Sequence, residues 1–183
     1  MTAVGLTAGG FYAHFKSKQH LVGEVVHKAF TDGRARLNCA EQEPRAWVET
    51  VLRRYVSRAH RDRPEQACPM VTMLSELPHA HDVVQPIVKD EVERYAHMFE
   101  GRLGESNSAD APTARQRALG TVALMVGAVA VARAIRGSKL SDEMLMACRA
   151  VGASLVYDNQ DGTTNSGRPQ VRGADKGHEA NEK

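Results

Sequence analysis

Apolar residues recur every three or four positions along most of this chain, and no stretch keeps the alternation of a strand. The spacing predicts an all-α protein. From Ser17 the set Leu21, Val22, Val25, Val26, Ala29 and Phe30 marks one face of a long helix. Pro44 suits the first turn of the next, whose stripe Trp47, Val48, Val51, Leu52, Tyr55, Val56 and Ala59 stops before Pro64. Cys68 and Pro69 open a short helix carrying Met70, Met73, Leu74 and Leu77, closed by Pro78. Asp82 caps a further helix with Val84, Ile87, Val88, Val92, Tyr95, Phe99 and Leu103 on its buried face. A polar loop over 104–112 leads to two final helices, expected over 113–136 and 141–157.

The stretch 118–132 is apolar on nearly all sides, so it is expected to be covered on both flanks. One flank meets its own core. The other meets either a partner subunit or the remaining helices of a monomeric bundle. Gly120, Ala123, Gly127 and Ala130 would let two backbones approach closely. Residues 158–183 carry hardly an apolar side chain and bury too little to become ordered, so a disordered tail is expected.

The segment 5–18 has a different character. Gly5 suits a turn with φ > 0, and Thr7 suits an N-cap whose oxygen takes up free amides. A short helix then pairs Phe11 with Phe15 on one face, with Tyr12 and His14 pointing elsewhere. Ser17 caps the long helix that follows. This is the layout of a helix-turn-helix whose second helix enters the DNA major groove.

In its residues, the segment resembles the TetR (tetracycline-repressor) family of bacterial transcription regulators. Gly5, Leu6, Thr7, Phe11, Tyr12, His14, Phe15, Lys18 and Leu21 fill that family's signature. Less specific likeness continues to about Tyr157, through Tyr55 to Pro64, Ala67-Cys68-Pro69 and Ala132-Arg133-Ala134-Ile135. Together these stretches resemble a branch with a Cys-Pro step in its ligand-binding lobe. The resemblance implies a homodimer paired through the last two long helices. It implies base reading by Thr7, Ala8, Gly9 and Gly10, and phosphate contacts from Tyr12, His14 and Lys18. Ala and Gly offer no bidentate hydrogen bonds, so sequence reading would rest on Thr7, a thymine-methyl contact from Ala8 and close backbone approach. Gly9-Gly10 can also be read as loop flexibility, and His14 as a surface histidine. Only four residues precede Gly5, where the family has a first helix and most of a second. The chain is therefore expected to be shortened at its start, or to start upstream.

Composition changes the picture little. The 183 residues are ample for one core, and a hydrophobic fraction of 42% with 5% aromatics suits packed helices. A net charge of +2 is too small to announce a nucleic-acid binder, so any DNA contact must be local. Cys39, Cys68 and Cys148 form neither a disulfide framework nor a metal spacing, and reduced cytoplasmic thiols are expected. The apolar run 118–132, bounded by Arg117 and Arg133, is shorter than the roughly 20 residues that span a bilayer.

Candidate chemistry is sparse. Cys68 before Pro69 reads either as a thiol activated at a helix start or, more plainly, as a small buried hydrophobe. The methionines read either as core or as the adaptable wall of a pocket. His79 and His81 lack a third metal ligand and read as loop histidines. No nucleophilic triad, carboxylate pair or phosphate cradle stands out, so no enzyme, cofactor or metal is expected. Three regions are inferred: a partial DNA-binding lobe with its linking helix (1–43), a ligand-binding and dimerisation domain (44–157) and the tail. Trp47, Tyr55, Cys68, Met73, Tyr95, Met98, Phe99 and Met125 are the candidate pocket lining. Leu119, Ala123, Val126, Gly127, Ala130, Met144, Cys148 and Leu155 are the candidate dimer interface. The expected function is a cytoplasmic, ligand-responsive repressor that binds palindromic operator DNA, releases it on binding a small apolar effector and touches no membrane. The alternative is a ligand-binding and dimerisation module that has lost DNA binding.

Overall fold

The structure, a computed structural model, describes residues 8–41, 43–73, 81–104 and 111–157. Among these the chain is all-helical, without a strand: α1 (Ala8–His14), α2 (Lys18–Leu37), α3 (Pro44–Tyr55), α4 (Arg58–Asp62), a 3-10 turn (Pro64–Gln66), α5 (Pro69–Met73), α6 (His81–Leu103), α7 (Ala114–Ala134) and α8 (Lys139–Tyr157). The predicted turn and cap at Gly5 and Thr7, Leu74, Leu77, the stop at Pro78, His79 and the tail 158–183 lie outside the described residues.

Local chemistry sets the helix ends. Ser17 Oγ accepts the His20 amide at 3.1 Å and starts α2. Glu43 caps α3, its carboxylate accepting the Arg45 and Ala46 amides at 3.0 and 2.6 Å, with Pro44 in the first turn. Those two amides, before any nearby cation, hold the Glu43 carboxyl below its usual range. Thr113 and Gln116 exchange side-chain-to-backbone bonds in a capping box that opens α7. Gly104, at φ +59°, follows the end of α6, a conformation that costs glycine nothing.

Three boundaries differ from the sequence reading. The stripe expected to run from Trp47 to Ala59 breaks after Tyr55. There Ser57 Oγ accepts the His60 amide, and the His60 ring folds back to the Tyr55 carbonyl at 2.7 Å, so side chains satisfy the groups that a continuous helix would have paired. Asp82 sits inside the first turn of α6 rather than at its cap. The last helix begins at Lys139, which leaves Ser141 fully buried with its hydroxyl donating to the Ala132 carbonyl at 2.6 Å.

α7 lies at the centre, in contact with α3, α4, α5, α6 and α8, while α2 packs on α6 and α3 on α8. The core joins Phe30, Trp47, Leu52, Tyr55, Phe99, Met125 and Leu145. Two glycines set close approaches. A side chain at Gly23 would meet Val83 at 3.0 Å across the α2–α6 seam, and one at Gly152 would meet Leu52 at 3.0 Å across α3–α8. The predicted α6 face holds, with Val84, Tyr95, Phe99 and Leu103 buried and Ile87, Val88 and Val92 half-buried. Val25 of α2, expected inside, is exposed.

At 21 residues, Ala114–Ala134 outruns its apolar stretch and meets the length and composition of a membrane span. Its packing gives another account of that composition, because half of its apolar window is buried against the other helices. The flanking arginines also turn inward. Arg117 donates to the carbonyls of Leu103, Gly104 and Leu155, and Arg133 to those of His60 and Arg61.

Candidate functional site

A pocket of about 140 Å3 opens where the C-terminal half of α2, the end of α3, α4 and α6 converge. Gly33, Arg36 and Leu37 form one wall; Arg54, Ser57, Ala59 and His60 form the other; Tyr55, Cys68 and Tyr95 lie beneath. Burial orders them by depth. Tyr55, Cys68 and Tyr95 are 3%, 4% and 2% exposed and form the floor, whereas Arg36, Arg54 and Ala59 are exposed at the mouth. Behind Tyr55 and Tyr95 an apolar seam between Met70, Val122, Met125 and Val126 is too narrow to hold a water molecule.

The floor is polar but uncharged. Burial pushes the hydroxyls of Tyr55 and Tyr95 well above the usual phenol range, so both keep their protons. The Tyr55 hydroxyl is buried with the Cys68 thiol beside it as a weak partner and no oxygen or nitrogen partner. Burial also raises Cys68. Bonds from the Tyr55 side chain and the Met70 and Val71 amides work the other way and do not win. Cys68 is thus a protonated core thiol, and the plainer of its two sequence readings holds.

His60 anchors the wall. Its Nε2 accepts the Cys68 amide at 2.8 Å, so its Nδ1 carries the proton and donates to the Tyr55 carbonyl. Burial, reinforced by Arg133 and Arg36, holds the ring below its ordinary value of 6.5; the Tyr55 bond opposes this. As pH falls below 6.5 the unfolded chain takes up the proton before the folded one does, so stability declines until the folded value is passed. Urea melts between about pH 7.5 and 5.5 are expected to show a loss of stability with falling pH that is smaller in His60→Gln. A wild-type slope equal to that of the variant would remove His60 as its source.

The same wall is fastened to the last two helices. Arg133 of α7 donates to the His60 carbonyl at 2.9 Å and the Arg61 carbonyl at 3.1 Å. Arg61, buried, grips Asp62, Ser141 at 2.8 Å and Asp142 at 2.9 Å. Arg58 completes a bidentate pair with Asp142, and Arg58 and then Arg61 hold that carboxyl below its usual range. On the opposite side Arg34 of α2 pairs with the buried Glu91 of α6, whose second oxygen, Oε1, has no partner.

Of the predicted pocket residues, Tyr55, Cys68 and Tyr95 come together, and Met125 borders the seam. Phe99 is wholly core, in an edge-to-face contact with Trp47 at 5.5 Å. Trp47 and Met98 edge a separate open cleft with Arg34, Asn38 and Arg102, and Met73 packs half-buried on the core. These departures share a cause: apolar residues on inward helix faces meet each other first, and a pocket forms where polar turns interrupt them. The sequence reading missed Gly33, Arg36, Leu37, Arg54, Ser57, Ala59 and His60. The Ser57-x-x-His60 spacing, a helix-start signal, was the available clue.

No protein-family model and no curated protein matches this chain.

Two other surfaces bear on function. At the start, α1 presents Tyr12, 69% exposed, with His14 exposed beside it and Lys18 exposed on the first turn of α2. No acidic residue precedes Glu24, so this end is locally basic through Lys16 and Lys18. Gly10 is half-buried, Ala8 and Gly9 are helical, and Thr7 lies outside the described residues. Phe15 packs edge-on to His20 across the turn. On the far side α7 exposes Leu119, Gly120, Ala123 and Val131, flanked by half-buried Gly127 and Ala130, and α8 exposes Leu140, Ala147 and Val151. Val126, predicted in this interface, faces inward instead, and Met144 and Cys148 pack on the core edge with Leu155 half-buried. On the helical period Val126 lies at the edge of the α7 stripe, and the packing covers it.

Proposed function

We propose that this chain is a ligand-responsive, DNA-binding transcriptional repressor of the TetR type, acting as a homodimer in the cytoplasm. The observation that carries the reading is that one helix serves both ends. α2 follows directly on α1 at its start and supplies Gly33, Arg36 and Leu37 to the pocket at its end. A ligand that spreads the pocket walls would tilt α2 against α6 and move α1 with it. In a dimer this changes the spacing of two recognition helices, so effector and operator compete through one coupling free energy. Arg61 and Arg133, tying the other pocket wall to α7 and α8, give the dimer face a share in that equilibrium. The 5–18 motif and the locally basic α1–α2 turn support the DNA contact.

The test is selection of bound duplexes from random DNA, followed by binding titrations against salt. A palindromic site is expected. Lys18→Ala should weaken binding about equally on every sequence and lower the salt slope by about one. Ala8→Val should change which bases are chosen, because it enlarges an apolar contact at the base-reading end. A chain that enriches no sequence overturns the regulator reading.

A further inference from the structure

We propose that the pocket between α2, α3, α4 and α6 takes a single-ring aromatic carboxylate, its carboxylate held at the mouth by Arg36 and Arg54 and its ring directed inward to the Tyr55 hydroxyl. The assignment rests on the ligand-responsive reading above and gives the effector, expected to be apolar, a charged head.

Size comes first. The pocket holds about 140 Å3, close to the roughly 150 Å3 cavity that accommodates one benzene ring. The narrow seam behind Tyr55 and Tyr95 admits no second ring without moving them. The body of the pocket suits an aromatic guest: Leu37 supplies an apolar flank, and the Tyr55 and Tyr95 rings offer aromatic surface.

Charge fixes the orientation. Among the described residues, two guanidinium groups and no carboxylate line the pocket. Behind the floor the buried Glu91 lies near enough to act on both Cys68 and Tyr95. Glu91 is itself paired with Arg34, so the charge that lines the pocket is that of the two arginines at the mouth, which draw a carboxylate into fork geometry. Arg54 already donates one Nη1 bond to the Asn38 carbonyl at 2.6 Å, which steadies its guanidinium.

Hydrogen bonding fixes the inner end. The His60 acceptor is taken by the Cys68 amide. The Tyr55 hydroxyl, protonated and only 3% exposed, has the weakly accepting Cys68 thiol beside it and no oxygen or nitrogen partner. A guest with an oxygen opposite its carboxylate supplies a stronger acceptor than the Cys68 sulfur. A para-hydroxybenzoate fits all three conditions.

Calorimetric titration of the full chain with para-hydroxybenzoate, benzoate, para-hydroxybenzamide and hydroxynaphthoate tests the assignment. The amide is expected to bind about tenfold or more weaker than the acid. Arg36→Gln and Arg54→Gln, both at exposed positions, should each lose about tenfold for the acid and little for the amide, the amide serving as the control for any change in the fold. Tyr55→Phe should weaken para-hydroxybenzoate while leaving benzoate untouched. Equal affinity for acid and amide, full affinity in both arginine variants, or a bicyclic acid that binds as well as the single ring overturns the proposal. DNA binding measured in parallel separates the two readings. Operator binding without benzoate binding sinks only the ligand class; benzoate binding without operator binding supports the pocket and sinks the regulator.

Discussion

In the proposed homodimer, Gly127→Glu is expected to split the pair into monomers. Nothing lies within 4 Å of where a side chain at Gly127 would begin, so the substitution meets no obstacle within its own chain. Replacing a mid-helix glycine also raises helix propensity, and the isolated fold should not suffer. Any change in mass must then come from what covers Gly127 in the assembly. Across a two-fold axis on α7 the two glutamates would face each other without a counter-charge, at a cost of about 3–5 kcal/mol, or roughly two to three orders of magnitude in dimer affinity. Light scattering behind a sizing column at micromolar concentration reads this directly. Wild-type protein that already runs as a monomer, or a variant that stays dimeric, removes the α7–α8 face as the subunit interface. Val151, exposed on α8 and absent from the sequence-derived set, offers an independent variant.

Trp47→Ala is expected to have the largest effect on stability. Trp47 is only 3% exposed, meets Phe99 edge-to-face and carries the Arg102 guanidinium 3.8 Å above its ring. Truncation loses the transfer energy of the indole and leaves a void among α2, α3 and α6, together costing about 3–5 kcal/mol. For a domain of this size that lowers the melting temperature by roughly 6–20 °C. Arg102 also loses its cation–π partner but keeps its bond to the Met98 carbonyl at 2.9 Å. Because Trp47 does not line the pocket with Tyr55, its loss should leave effector affinity in the surviving folded protein within about threefold. Thermal melts and ligand titrations on one preparation check both halves. A mild destabilisation with a large affinity loss would place Trp47 at the ligand after all.

The sequence by itself determined what depends on neighbours within one or two turns. The 3.6-residue period of Val84, Tyr95, Phe99 and Leu103 gave α6 its inward face. Pro44 and Ser17 marked two helix starts, because a cap is a bond between residues two or three apart; the caps at Glu43 and Thr113–Gln116, which the structure added, are of the same local kind. The apolar girth of 118–132 pointed to the central place that α7 holds. Tertiary structure decided the rest. The break at Val56–Ser57 turns on His60, whose ring spans back to Tyr55 and across to Cys68, a pairing no helical period contains. Whether Cys68 was an activated thiol or a core residue turned on burial against a helix-start field, and depth is a property of the packed chain alone. The pocket joins Arg36, Arg54 and Tyr95 from three helices, residues that in sequence look like two solvated arginines and a core tyrosine. Local bonds are written in the order of residues; cavities and charge gradients exist only once distant segments meet.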